Sequence, residues 1–208
     1  IGHPIYYIKN NNYEKIKKDC IAFLPGSRVG ELEKLLPYFK FAHDYLLKNF
    51  SDIIIFIPTL PHLENIIKDY VKNWKMKINI ITDNAEIEKY YLRSSKALVC
   101  SGTASLEIAK RNIPQLVIYK LNFLTEFIMK FFISIKYANI INIFENTEII
   151  PEITNSNLNK KTFIKKFSKL IIDNHSNIIQ IKNIKSSLKK IQRSEPPFLI
   201  AAKHINRY

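Results

Sequence analysis

Residues 20–31 read CIAFLPGSRVGE, an apolar run followed by a glycine-containing turn and the start of an amphipathic segment. The run Cys20–Leu24 is continuous rather than alternating, which is typical of a strand that is buried on both faces. Residues 31–49 then carry apolar side chains at helical spacing. A buried strand that leads through a short turn into a helix is the first half of a βαβ unit, so this stretch predicts a parallel sheet.

The same pattern continues on the C-terminal side of this stretch. Further apolar runs occupy residues 53–57, 78–81, 97–100 and 115–119, and helix-like segments occupy 63–74, 85–94 and 105–111. This alternation predicts an α/β fold, a Rossmann-like doubly wound parallel sheet with helices on both faces. Segments 160–173 and 176–192 read as helices without intervening strands, so we expect a C-terminal helical appendix. The predicted divisions are a linker segment at 1–19, a sheet domain at 20–155 and helices at 156–208.

Composition restricts the class of protein less than the strand pattern does. Hydrophobic residues make up 47% of the 208 residues, as in a globular protein, and the formal net charge is +14. That charge fits attraction to anions, but a chain rich in Lys, Ile and Asn also acquires it by compositional drift. Cys20 and Cys100 lie in apolar runs and are expected to be buried free thiols. No apolar run reaches the roughly 20 residues that span a bilayer. The first residue, Ile1, is not Met, which suggests a trimmed chain or a fragment.

The turn after the first strand is a candidate anion site. Gly26 lets the backbone turn tightly, Ser27 follows it, and Arg28 could bind a diphosphate with its planar guanidinium. The N-terminus of the next helix adds free N–H groups and a positive dipole end. The alternative is an ordinary strand–helix turn with a solvent-exposed arginine.

A second turn of this kind follows the run at 97–100. It reads SGTASLE and contributes the candidate residues Ser101, Gly102, Thr103, Ala104 and Glu107. Backbone N–H groups here could hold a second edge of a phosphate, and the carboxylate of Glu107 could accept hydrogen bonds from a pair of ribose hydroxyls. A helix cap followed by a solvated first-turn glutamate is the alternative.

Residues 121–144 are strongly apolar and aromatic and include Lys130 and Lys136. A buried core helix would account for them, and so would an exposed apolar, basic surface that contacts membrane or acyl chains. His62, His175 and His204 have no metal-type partner at helical spacing and are expected at the surface. We find no metal-ligand spacing and no Ser-His-Asp or Cys-His arrangement.

Several short motifs resemble, in order, those of the lipid-A-disaccharide synthases. They are GHP at 2–4, LPGSR at 24–28 with Glu31 and LLP at 35–37, SGTASLE at 101–107, a Y-x-x-x-x-N pattern from Tyr137 to Asn142, and TEIIPE at 147–152. The agreement in order and spacing covers about residues 1–155. One departure is Thr147, where the family pattern has an arginine.

This resemblance implies the C-terminal domain of a GT-B glycosyltransferase. Such an enzyme transfers 2,3-diacylglucosamine from UDP-2,3-diacylglucosamine to 2,3-diacylglucosamine 1-phosphate, releasing UDP and inverting the anomeric centre without cofactor or metal. The implied setting is cytoplasmic and peripheral at the inner membrane, with an anionic membrane surface as partner and no nucleic acid.

The resemblance also assigns roles to individual residues. Arg28 would neutralise the diphosphate, Glu107 would hold the ribose, and Asn142 would lie at the donor side of the cleft. Residues 102–104 would offer backbone donors to phosphate. The catalytic base, a carboxylate, belongs to an N-terminal half that this chain lacks, so no residue here is named as the base.

Two other readings remain at this point. Another GT-B enzyme of UDP-sugars, such as a cell-wall UDP-GlcNAc transferase or an epimerase, would have similar turns. A basic nucleic-acid-binding protein would account for the charge but not for two turns that each lead from a strand into a helix.

Overall fold

A computed structural model describes residues 18–100, 102–120 and 137–191 of the chain. Its strands are β1 (Cys20–Leu24), β2 (Ile54–Pro58), β3 (Ile78–Ile81), β4 (Ser94–Cys100), β5 (Gln115–Tyr119) and β6 (Glu152–Thr154). Its helices are α1 (Val29–Asn49), α2 (Glu64–Val71), α3 (Asn84–Arg93), α4 (Gly102–Lys110), α5 (Ile140–Glu145), α6 (Lys160–Ile172) and α7 (Asn174–Ile191). Short 3-10 turns occupy Pro61–Leu63 and Asn155–Asn157.

All described strands belong to one parallel sheet with the order β3-β2-β1-β4-β5-β6. The predicted parallel sheet is therefore confirmed, and β1, β3 and β5 have the predicted bounds. The sequence reading missed β6 and the short helix α5. β6 has three residues, of which only Ile153 is buried, so it is too short to produce a recognisable apolar run.

Successive residues of the strands point into two different cores, because side chains alternate across a sheet. Ile21 and Phe23 of β1 belong to a core that α1, α2 and α6 cover. Ala22 and Leu24 belong to the core on the other face, which α3, α4, α5 and α7 cover. The sheet is thus doubly wound, as predicted.

The C-terminal helices are present and complete these two layers. Phe163 and Phe167 of α6 are fully buried, and the Phe167 ring packs edge-on against Phe23 of β1 with a centroid distance of 6.5 Å. Ile184 of α7 is fully buried on the opposite face. A domain boundary near residue 155 remains a prediction, and the predicted linker at 1–19 lies almost wholly outside the described residues.

Candidate functional site

The chain reverses its direction of travel across the sheet between β1 and β4. From β1 it proceeds outward through β2 to β3, and then it returns to place β4 on the other side of β1. The loops that follow β1 and β4 therefore lead to opposite faces and leave a crevice between their starting points. Open α/β sheets bind ligands in this crevice, at the carboxyl ends of the strands.

Gly26 brings the two loops into contact. Its φ of 112° lies in the region that L side chains rarely adopt, and a Cβ at this position would lie 2.9 Å from Cys100 Sγ at the end of β4. Since real Cβ contacts are not that short, any side chain at residue 26 would strain the backbone and displace Cys100. Cys20 and Cys100 are both free and buried, as expected.

Arg28 stands at the N-terminus of α1. Its carbonyl accepts the first helical hydrogen bonds, from the N–H groups of Glu31 (3.1 Å) and Leu32 (3.0 Å). Its side chain does not cap the helix; it is 80% exposed and contacts the Glu31 carboxylate at 3.1 Å. An exposed pair of this kind contributes little to stability, so the guanidinium can exchange Glu31 for an anionic ligand at small cost.

A cavity of about 940 Å³ opens at this edge of the sheet. Six of the nine predicted binding residues line it, namely Gly26, Ser27, Arg28, Thr103, Ala104 and Glu107. Gly102 begins α4, and Ser101 lies outside the described residues. The structure thus brings together most residues of the two predicted turns.

Glu107 lies one turn into α4 and is half-buried. Burial raises the pKa of its carboxyl group; the positive charge of Arg111 acts in the opposite direction, and the negative charge of Glu88 adds to the rise. Arg111 donates a hydrogen bond to the Glu107 carbonyl oxygen at 2.9 Å. This contact holds Arg111 one helical turn beyond Glu107, where its positive charge favours the ionised form of the Glu107 carboxyl group.

Sequence reasoning missed the partners of this arginine. Arg111 forms an ion pair with Glu88 of α3, and its guanidinium lies over the Tyr91 ring, 4.6 Å from the centroid. Glu88, Tyr91 and Arg111 all line the cavity. The spacing of Glu107 and Arg111, four residues apart on one helix, could have suggested that they share a face. The approach of α3 could not have been deduced.

Asn142 lies apart from the other predicted binding residues. The structure buries its side chain completely and does not include it in the cavity lining. Its amide instead bonds to the chain that follows: Nδ2 donates to the Ile150 carbonyl at 2.7 Å, and Oδ1 accepts from the N–H groups of Ile149 and Ile150 at 2.9 Å each. Asn142 therefore holds the segment before β6, and its place at the donor side of the cleft stays a prediction.

The sequence also raised the questions of a membrane-contacting segment and of a metal site. Residues 121–136, the apolar and basic segment, lie outside the described residues. Among the helices that are described, none combines the length and apolar character needed to cross a bilayer. The described ranges also contain no group of three or more His, Cys, Asp or Glu side chains that could hold a metal ion.

Comparison with known proteins identifies the family. The family model for lipid-A-disaccharide synthetase matches residues 1–201. The chain belongs to this family. The turns that this chain has in common with other GT-B enzymes of UDP-sugars therefore reflect a shared fold.

Individual relatives agree with this assignment. Lipid-A-disaccharide synthase of Rickettsia typhi is 33% identical over all of this chain and 57% of its own length. The chain spans about half the length of the curated relatives that it matches, from 33% to 57%.

Solved structures support the fold alone, since their sequences are distant. WaaG, a glycosyltransferase of lipopolysaccharide biosynthesis, superposes with a TM-score of 0.60 at 9% identity, covering 91% of this chain and 47% of its own. A TarM variant from S. aureus in complex with fondaparinux, alpha-GlcNAc-glycerol and UDP superposes with a TM-score of 0.59 at 13% identity, covering 96% and 38%. The chain therefore has the fold of one Rossmann-like domain of a GT-B glycosyltransferase.

Proposed function

We propose that this chain is the donor-binding half of a lipid A glycosyltransferase and binds the UDP portion of UDP-2,3-diacylglucosamine. The reaction transfers the diacylglucosamine unit to 2,3-diacylglucosamine 1-phosphate, with inversion, and releases UDP. The observation that carries the proposal is the cavity at the carboxyl ends of the parallel strands β1 and β4, where Gly26 and Cys100 bring the two loops together. Family membership supplies the reaction class, and the TarM structure is an example of the fold that contains UDP.

In this proposal, the diphosphate lies between the N-termini of α1 and α4. Both helices begin at the cavity, and the first-turn N–H groups of a helix have no partner within it, so they attract phosphate oxygens. Arg28 adds a formal positive charge on an exposed side chain that pairs with Glu31. As the bond to the sugar breaks, negative charge grows on UDP, and a guanidinium held at that point stabilises it.

Glu107 is proposed to accept hydrogen bonds from the two ribose hydroxyls. The carboxylate must be ionised to accept both, and the neighbouring Arg111 opposes the effect of burial on the Glu107 pKa. Because Glu88 and the Tyr91 ring fix Arg111 in place, the charge beside Glu107 has a defined position.

Other parts of the reaction are proposed to lie outside this chain. No described residue is assigned as catalytic base, which we place in an N-terminal half contributed by a partner or a longer chain. The net charge of +14 favours anionic, acylated substrates and a peripheral position on an anionic membrane.

Isothermal titration calorimetry with UDP tests the donor site directly. We expect saturable binding by the wild-type chain and about a 10- to 100-fold loss of affinity in Arg28→Ala, since a charge-assisted hydrogen bond is worth about 1.5–3 kcal/mol. Lys72→Ala removes an exposed positive charge outside the cavity and should leave the affinity unchanged. Glu107→Gln should weaken binding, whereas Glu33→Gln, on an exposed part of α1, should not.

Absence of UDP binding by a folded wild-type chain would contradict the proposal. Equal losses in Arg28→Ala and Lys72→Ala would also contradict it, because they would show that overall charge and not the cavity attracts the nucleotide.

A further inference from the structure

One wall of the cavity is formed by the two residues that begin the Y-x-x-x-x-N pattern. Tyr137 and Ala138 line the cavity immediately before α5. The carboxylate of Glu152, at the start of β6, accepts hydrogen bonds from the Ala138 N–H at 3.0 and 3.2 Å and from the Asn139 N–H at 2.8 Å. The wall is thereby attached to the edge strand of the sheet.

Asn139 connects the same wall to α4. Its side chain is 1% exposed, and its Oδ1 accepts from the Ile141 N–H at 2.9 Å, which caps α5. Its Nδ2 donates to Ser105 Oγ at 2.6 Å. Ser105 lies on α4 between Ala104 and Glu107, two residues that line the cavity. The buried Asn139 amide therefore connects the Tyr137–Ala138 wall to the helix that carries the proposed ribose carboxylate.

Further buried hydrogen bonds extend this connection away from the cavity. The Ser105 carbonyl accepts from Gln115 Nε2 at 3.0 Å, at the start of β5. The Gln115 backbone in turn exchanges two bonds with the Gln180 side chain of α7, at 2.7 and 3.0 Å. Gln115 Oε1 is buried without a hydrogen-bond partner. Because a buried polar group that loses its partner is costly, the bonds that are made favour the observed arrangement of these residues.

We propose that Asn139 is a positioning residue of the nucleotide pocket: through Ser105 it holds the Tyr137–Ala138 wall at the distance from α4 that tight UDP binding requires. The inference rests on the proposed function for the identity of the ligand. Asn139 itself does not line the cavity, so it acts through the wall and through α4. A purely structural asparagine would affect stability but not the affinity of the folded protein.

Two substitutions break the connection from opposite sides. Asn139→Ser keeps an oxygen that can cap α5 but is too short to reach α4. Ser105→Ala removes the acceptor and leaves the cap intact. Each should lower UDP affinity about three- to tenfold in calorimetry at a temperature where the variant is fully folded, corresponding to the loss of about one hydrogen bond.

Asn177→Ala is the matched control. Asn177 is also a buried asparagine, 6% exposed, and its Nδ2 donates to the Leu170 carbonyl at 2.8 Å, which ties α7 to α6 away from the cavity. We expect this variant to lose stability and to keep wild-type affinity. Unchanged affinity in both Asn139→Ser and Ser105→Ala would overturn the proposal, as would an equal loss in Asn177→Ala.

Amide hydrogen exchange without ligand separates this inference from the proposed function. In both test variants, the Ala138 N–H should exchange faster than in the wild type, while amides of β1 keep their protection. Unchanged protection of Ala138 would refute the positioning role, whether or not UDP binds. Failure of the wild type to bind UDP, with faster exchange at Ala138 in the variants, would refute the proposed ligand and leave the connection between wall and helix established.

Discussion

The two ends of the neighbouring strands β1 and β4 differ in how their charged groups are used. At the amino ends, Arg93 donates to both carboxylate oxygens of Asp19, at 3.0 and 2.7 Å, and its guanidinium lies 4.9 Å from the centroid of the Tyr90 ring. At the carboxyl ends, Arg28 is 80% exposed and pairs with Glu31 at 3.1 Å. An arginine that stabilises the fold thus lies at one end of these strands, and an arginine that is accessible to a ligand lies at the other end.

The pKa of Asp19 records the difference. Its hydrogen bond to Arg93 lowers that pKa from the ordinary 3.8 to about 2, against the opposing effect of burial. The ion pair at the amino ends therefore adds to the stability of the chain. At the carboxyl ends, the exposed pair of Arg28 with Glu31 adds little to stability, and Gly26 has a backbone conformation that L side chains rarely adopt.

Gly26→Ala should produce the largest effect. The alanine would combine a strained positive φ with the contact to Cys100, and each effect costs about 1–3 kcal/mol, so we expect the unfolding free energy to fall by about 2–6 kcal/mol. Chemical denaturation measures it. Gly30→Ala is the control, since a Cβ there meets nothing within 4 Å, and it should stabilise α1 by about 0.5–1 kcal/mol. Equal effects of the two substitutions would show that the loops do not meet at Gly26.

Arg93→Ala should have the next largest effect. Removing it breaks a bidentate ion pair whose side chains are 31% and 17% exposed, so we expect a loss of about 1–2 kcal/mol in the same measurement. A double-mutant cycle with Asp19→Asn should show that the two losses are not additive. Additive losses would mean that the pair does not close this end of the strands.

Acid should remove the contribution of Asp19. Since the folded-state pKa is lowered, the stabilisation is complete above the unfolded value of 3.8 and is lost as pH falls through about 2. The difference in melting temperature between wild type and Asp19→Asn should therefore be constant from pH 7 to about pH 5 and should shrink below pH 4. A difference that stays constant down to pH 2 would contradict the lowered pKa.

Arg28→Ala should have the smallest effect on stability. Its exposed pair with Glu31 should contribute less than about 0.5 kcal/mol to unfolding free energy, although the same substitution is expected to weaken UDP binding strongly. A stability loss as large as that of Arg93→Ala would remove the distinction between the two ends of the strands.

Much of the fold was predictable because its signals are local. Continuous apolar runs and helical periodicity identified β1 to β5 and the long helices, and the two glycine-containing turns identified the carboxyl edge of the sheet as the place of the site. The order of short motifs also indicated the family that the comparison confirmed. The turns themselves could be read from sequence because a turn that exposes backbone N–H groups needs small residues at fixed positions.

Asn142 shows where this reasoning ends. A motif position that matches a family pattern does not reveal which way its side chain points, and this amide is used by the backbone of residues 149–150. Its neighbour Asn139 could not be distinguished from it in the sequence, yet it supports the cavity wall. The choice between them depends on contacts with Ser105 and Glu152, which are 34 and 13 residues away.

The sequence by itself determined the sheet, the two turns and the residues with which those turns could meet an anionic ligand, because these depend on neighbours along the chain. Only the tertiary structure decided that Gly26 lies against Cys100 and that Glu88 and Tyr91 fix Arg111. It also decided that the buried amide of Asn139 joins the Tyr137–Ala138 wall to α4. These contacts join residues on different strands and helices. Their geometry follows from how the layers pack, which no local pattern of residue types encodes.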